Sequence, residues 1–119
     1  VLETVKIHEE KNITLDLNGH ELTDSTKKMI IENRGNLRIV DNSAKKNGRI
    51  YTDCSKNLIE NNSYLEIDGG VLETYGDDFT MIHNYGTVQM NDGKLYGYKS
   101  GTQSSTSVIY NEEHRKIAN

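Results

Sequence analysis

The sequence predicts an all-β fold of the parallel β-solenoid type, about four to five coils of three short strands each. Three observations predict it. Residues 81–95 repeat residues 58–72 at an offset of 23, with a shared skeleton of Ile-x-Asn, then Leu or Val, one residue, Ile or Met, a Gly-containing corner and one more Leu. Apolar residues fall in short period-two runs, and no stretch carries a helical period. Ten Gly, many Asn and no Pro or Trp suit a chain with frequent tight corners, where Gly and Asn tolerate left-handed backbone. A repeat of this length is one structural unit that cannot bury its apolar face alone, so neighbouring units stack.

At 119 residues the chain is one domain, read as a single solenoid over 1–119 or a piece of a longer one. The coils are expected near 5–28, 29–57, 58–80 and 81–107, with a partial coil at 108–119. Apolar content of 34 % is low for an ordinary two-layer globule, but it can fill a thin repetitive core. The net charge of −4 comes from acids and bases that are mixed along the chain, which argues against a nucleic-acid partner. No signal peptide or membrane span is visible. The pattern is already under way at Val1-Leu2-Glu3-Thr4-Val5, as in a mature or excised piece of something longer. Cys54 has no partner for an internal disulfide and reads as a partly buried small hydrophobe.

Val5-Lys6-Ile7 opens the first coil, and residues 9–12 form a polar turn. Ile13-Thr14-Leu15-Asp16-Leu17 alternates strictly, as a strand with one buried face does. Asn18-Gly19-His20 turns the chain into Glu21-Leu22-Thr23. By spacing, Leu15, Leu17, Gly19 and Leu22 match Leu65, Ile67, Gly69 and Leu72. The second coil starts at Met29-Ile30-Ile31-Glu32-Asn33 and continues in Leu37-Arg38-Ile39. Its corner, residues 41–48, is enlarged and expected to lie outside the stacked core, with Ile50 in the role of Leu72. In the third and fourth coils Ile59, Leu65, Ile67 and Leu72 point inward and stack on Ile82, Val88, Met90 and Leu95. Residues 97–107 form a Gly/Ser/Thr/Gln loop. Val108-Ile109-Tyr110-Asn111 starts a fifth coil, which departs from the code at Arg115 and rejoins it at Ile117.

The runs Ile13-Thr14-Leu15-Asp16-Leu17-Asn18-Gly19-His20-Glu21-Leu22-Thr23 and Asn36-Leu37-Arg38-Ile39-Val40-Asp41-Asn42-Ser43, with Gly48-Arg49-Ile50 and the Ile-x-Asn repeats, resemble right-handed parallel β-helix (pectate-lyase-like) segments of large Gram-positive surface proteins and phage appendages. The resemblance covers most of the chain, from Val5 to Leu95. It implies a right-handed parallel β-helix and an extracellular, cell-surface or virion location. It implies no activity, since lyases, hydrolases, adhesins and tail proteins share the fold.

Four asparagines, Asn33, Asn61, Asn84 and Asn111, hold one position in successive coils. They are read as a structural ladder, each amide bonding corner backbone and its counterpart in the next coil. Among carboxylates, Gly76-Asp77-Asp78 is similar to the paired aspartates of β-helix polysaccharide hydrolases, but no Asn-Thr-Asp, Gly-His-Gly or Arg-Ile-Lys run accompanies it. No catalytic residue is assigned. Asp16, Asp68, Asn91 and Asp92 are expected near one corner, where calcium is conceivable. The Gly-Gly-x-Gly-x-Asp nonapeptide of calcium-binding β-rolls is absent, so no cofactor is assigned. His8, His20, His83 and His114 fall at different coil positions without zinc spacing and read as solvated polar residues, and no metal site is assigned.

The tyrosines are the candidate ligand-binding set. Tyr51 and Tyr96 align immediately after the inward Ile50 and Leu95, and Tyr75 and Tyr98 align two residues further on. Alternation turns both positions outward, with Glu73, Asp53 and Lys99 among them. Such a face suits sugar rings, because Tyr offers large contact area at low entropy cost. It equally suits cross-strand pairing or a partner subunit. The expected function is a non-catalytic secreted, surface or virion module, a rigid spacer with an adhesion or glycan-recognition surface for a glycan or host partner. The alternatives are a fragment of a polysaccharide lyase or hydrolase, and a segment of a homotrimeric phage appendage.

Overall fold

The structure, a computed structural model, describes residues 3–23, 29–52, 57–75, 80–98 and 107–112. Within them the chain is all-β and contains no helix, hence none long and apolar enough to cross a membrane. The strands are β1 (Val5–Ile7), β2 (Asn12–Asp16), β3 (Glu21–Thr23), β4 (Ile31–Asn33), β5 (Asn36–Val40), β6 (Arg49–Thr52), β7 (Ile59–Asn61), β8 (Tyr64–Tyr75), β9 (Thr80–Asn84), β10 (Thr87–Tyr98) and β11 (Ser107–Asn111). Every pairing between them is parallel and joins one coil to the next. One sheet runs β1-β4-β7-β9-β11, and the second contains the remaining strands. The result is a parallel β-solenoid of about four turns.

Like residues stack on like. Ile31 pairs with Ile59 and Ile59 with Ile82. Leu37, Leu65 and Val88 form a second column, Ile39, Ile67 and Met90 a third, and Ile50, Leu72 and Leu95 a fourth. Side chains of the two middle coils are sealed, with Ile31, Leu37, Ile39, Ile50, Ile59, Leu65, Ile67 and Leu72 at most 1 % exposed. Burying each stabilises the fold by roughly 1.5–3 kcal/mol relative to exposure. Among the described residues β1 and β2 each pair on one side only, and Val5 and Ile13 are 39 % and 44 % exposed although they belong to the same columns.

In the third and fourth coils the second and third strands are not separate pieces, as three short strands per turn implies. β8 and β10 each run unbroken for 12 residues. The first half of β8 pairs with β5 and its second half with β6, so the second sheet folds around the corner. Gly70 and Gly93 take φ of +89° and +100° at that corner, and the β8–β10 register slips between Met90 and Lys94. Left-handed backbone at a glycine bends the strand there, and the ladder is irregular at the bend before pairing resumes at Val71 and Lys94.

The first coil is registered differently from its spacing. Leu15 pairs with Ile39, and Ile39 with Ile67, so Leu15 stands with Ile67 and Ile13 with Leu65. Leu22 does stand with Ile50 and Leu72. Two extra residues therefore enter the first corner, and Leu17 fills it, 5 % exposed. A Cβ on Gly48 or Gly70 would come within 2.6 or 2.7 Å of Leu17, so those glycines leave the space it occupies.

The enlarged 41–48 corner is also more than an outlying loop. Asp41 is buried, and one of its oxygens accepts from the Gly19 N–H (2.9 Å), the Ser43 N–H (3.2 Å) and the Ser43 hydroxyl (2.8 Å). The other accepts from the Gly48 N–H at 2.7 Å. One carboxylate thus ties the first corner to the second.

Candidate functional site

The outward positions of β6 and of the second halves of β8 and β10 carry the tyrosines. Tyr51 is the register partner of Glu73, and Glu73 of Tyr96, while Tyr75 pairs with Tyr98. Between these two rows Thr52 and Thr74 turn inward and are buried. Parallel strands lie about 4.8 Å apart, close enough for rings on adjacent coils to touch. Tyr75 and Tyr98 stack, with centroids 4.6 Å apart and planes at 12°. Tyr51 meets Tyr75 edge-on at 5.4 Å and 67°, and Tyr96 lies 6.1 Å from Tyr98 at 44°. The four rings form one continuous surface, half-buried at Tyr51 and Tyr75 and open at Tyr96 and Tyr98.

Charged groups border the rings. The Arg49 guanidinium lies 4.6 Å from the Tyr51 centroid, donates to Glu73 at 3.1 Å and pairs with Glu21. The Tyr75 hydroxyl donates to the second Glu73 oxygen at 3.0 Å. That bond, with burial and the Glu73 charge behind it, pushes the Tyr75 phenol above the usual tyrosine range. Glu73 is therefore held by both an arginine and a tyrosine. Asp53 and Lys99, also expected on this face, lie outside the described residues, as do Cys54, Asp77, Asp78 and His114.

The asparagines form a column inside the solenoid. Asn33 donates to Asn61 at 2.8 Å, Asn61 to Asn84 at 2.8 Å and Asn84 to Asn111 at 3.0 Å, across sequence separations of 28, 23 and 27. The same amides reach corner carbonyls of Tyr64 and Thr87, and their oxygens accept from the N–H groups of Gly35 and Gly86. Asn33, Asn61 and Asn84 have no exposed surface and every amide atom occupied.

The corner carboxylates are each taken up by nearby donors. Asp16 accepts from the backbone and side chain of Asn42 and from the Asn18 N–H. Asp68 pairs with Arg38 and accepts from Asn91 at 2.6 Å, while Asp92 caps the Gly93 N–H at 2.8 Å. Among the described residues no group of three or more His, Cys, Asp or Glu is placed to hold a metal ion. A cleft of about 320 Å³ opens at this corner, lined by Asp41, Lys46, Asp68, Gly70, Asp92 and Lys94.

Comparison of the chain with known protein families, curated proteins and solved structures returns no match.

Sequence reasoning missed two features. His83 is half-buried and partnered rather than solvated, with its ring flat on Tyr85 and its Nε2 3.1 Å from Glu112. Its only available signal was the aligned column Glu32, Glu60, His83 and Tyr110, since the Tyr85 and Glu112 positions show no pattern. Asp41 resembled one polar loop residue among many. Its four backbone and hydroxyl donors come from Gly19 in the first corner and from Ser43 and Gly48 within the insertion, which no local pattern displays. His8 and His20 are exposed.

Proposed function

We propose that the chain is a non-catalytic β-solenoid module of a secreted, cell-surface or virion protein, a rigid spacer that recognises glycans through its tyrosine face. The observation that supports this reading is the unbroken run of rings Tyr51, Tyr75, Tyr98 and Tyr96, bordered by Glu73 and Arg49. Flat aromatic surface with charged hydrogen-bonding groups at its edge matches the alternating C–H faces and hydroxyl rims of a sugar ring. Tyr51 and Tyr75 sit on strands paired on both sides, and Tyr98 is stacked on Tyr75, so these rings need little ordering on binding. No catalytic role is assigned to any residue of this face.

A glycan array, followed by titration of the best hit, tests the proposal. Tyr98→Ala and Tyr75→Ala are each expected to weaken binding about tenfold, the loss of one aromatic contact. Unchanged binding in both variants would remove the tyrosines from the site. Incubation with uronic-acid and neutral polysaccharides, with and without calcium, is expected to release no products, and measurable cleavage would favour a lyase or hydrolase fragment.

A further inference from the structure

The outward face of the β1-β4-β7-β9-β11 sheet carries a second aromatic group, on different strands from the tyrosine face. Lys6, Glu32, Glu60, His83 and Tyr110 form one outward row in register. The His83 ring lies on Tyr85, with centroids 4.7 Å apart and planes at 9°, and meets Tyr110 edge-on at 5.2 Å and 89°. Asn57 Nδ2 approaches His83 Nδ1 at 3.5 Å, which leaves Nε2 to face Glu112 at 3.1 Å. Glu60, the register partner of His83, and Glu112 therefore flank the ring cluster on two sides. Both carboxylate charges, after burial, help push the Tyr85 phenol above its ordinary range.

Elsewhere the protein fills this combination itself. On the tyrosine face the Arg49 guanidinium lies over the Tyr51 ring and pairs with two carboxylates, Glu21 and Glu73. The second cluster repeats the ingredients, tyrosine and two carboxylates, and the described guanidinium that feels the Glu60 charge, Arg34, is bound to Glu32 instead. Among the described residues neither Glu60 nor Glu112 pairs with a lysine or arginine. Each described arginine is already committed: Arg34 to Glu32, Arg38 to Asp68 and Glu66, Arg49 to Glu21 and Glu73. Tyr110 is 47 % exposed and the Glu112 side chain 33 %, so both are open to an incoming group.

We propose that Glu60, Tyr85, Tyr110 and Glu112 form a docking site for an arginine side chain of a polypeptide partner. Charge complementarity argues for a cation, and the ring faces argue for arginine within that class. A guanidinium is planar, weakly hydrated and able to stack on tyrosine while its fork bonds a carboxylate. An ammonium satisfies the charge but offers no plane. His83 supports the site from behind by fixing the Tyr85 ring and the Glu112 carboxylate.

The test is a titration of the full chain with an N-acetylated, C-amidated triarginine peptide, followed by the NMR signals of His83, Tyr85 and Tyr110. Saturable shifts at these residues are expected. The matching tricitrulline peptide, same shape without charge, is expected to give none, and trilysine weaker binding. Glu112→Gln and Tyr110→Ala should each weaken triarginine about fivefold, while Glu9→Gln, far along the chain, should not. Absence of saturable shifts overturns the proposal, as does equal binding of tricitrulline or trilysine, or indifference to both substitutions. Unchanged spectra in the other coils verify that each variant remains folded.

Discussion

The Asn61 side chain donates to Asn84 at 2.8 Å, and the same nitrogen lies 2.9 Å from the Thr87 carbonyl oxygen. One buried amide thus joins the third coil to the fourth and satisfies the backbone where the fourth coil turns. The apolar columns supply most of the stabilisation and already oppose a one-residue slip, which would turn them outward; the amide column adds a second lock on register. Any shift of the amide column would leave buried donors and acceptors unpaired.

Asn61→Leu is expected to lower stability by roughly 3 kcal/mol, since leucine matches the volume but strands Asn33, Asn84 and the Thr87 carbonyl. A urea denaturation curve measures it. Asn111→Leu, at the end of the column, should cost less than half as much. Equal losses at the two positions would show that the column has no cooperative middle.

Gly86→Ala should destabilise by roughly 2 kcal/mol or more, because the added Cβ overlaps the Ser63 carbonyl of the coil beneath. Thermal unfolding followed by circular dichroism would reveal it. A variant as stable as the parent would mean that the corner can open without cost.

Acid stability should depend on Asp41. Burial alone would raise its pKa, but hydrogen bonds from Ser43, Gly48 and Gly19 outweigh it and hold the carboxyl at about 2, below the ordinary 3.8. A depressed folded pKa means that this contribution is complete above 3.8 and disappears as pH falls toward about 2. Asp41→Asn turns an amide toward backbone N–H groups. It should lose roughly 2 kcal/mol near neutral pH and show a flatter stability profile across that acid window. Urea midpoints measured at several pH values give both quantities, and a parallel downward shift of the whole profile would refute the assignment.

The tyrosine face should be open in solution. Light scattering is expected to give a monomer of 13.5 kDa. A trimer that dissociates on Tyr96→Ala or Tyr98→Ala would instead place these rings in a subunit contact.

Much of the architecture was legible because a solenoid writes its contacts at a fixed sequence offset. The recurrence of Ile59 and Ile82, Asn61 and Asn84, Leu72 and Leu95 identified their stacking partners directly, since each coil touches only its neighbours. The alternation around Ile50 and Leu95 likewise placed Tyr51 and Tyr96 on one outward face. The first coil misled because a spacing of seven residues from Leu15 to Leu22 copied that from Leu65 to Leu72. The true register adds two residues and uses Leu17 as corner filling.

What the sequence alone determined was the period, and with it the parallel solenoid, the inward columns and the outward tyrosines. Tertiary structure decided everything that depends on corners and on neighbouring faces. It bent β8 around Gly70, gave Asp41 its donors from three separate residues, and laid His83 on Tyr85 beside Glu112. The physical reason is that a period fixes which residues stack between coils, whereas corner contacts depend on local backbone angles and insertion lengths that the period does not encode.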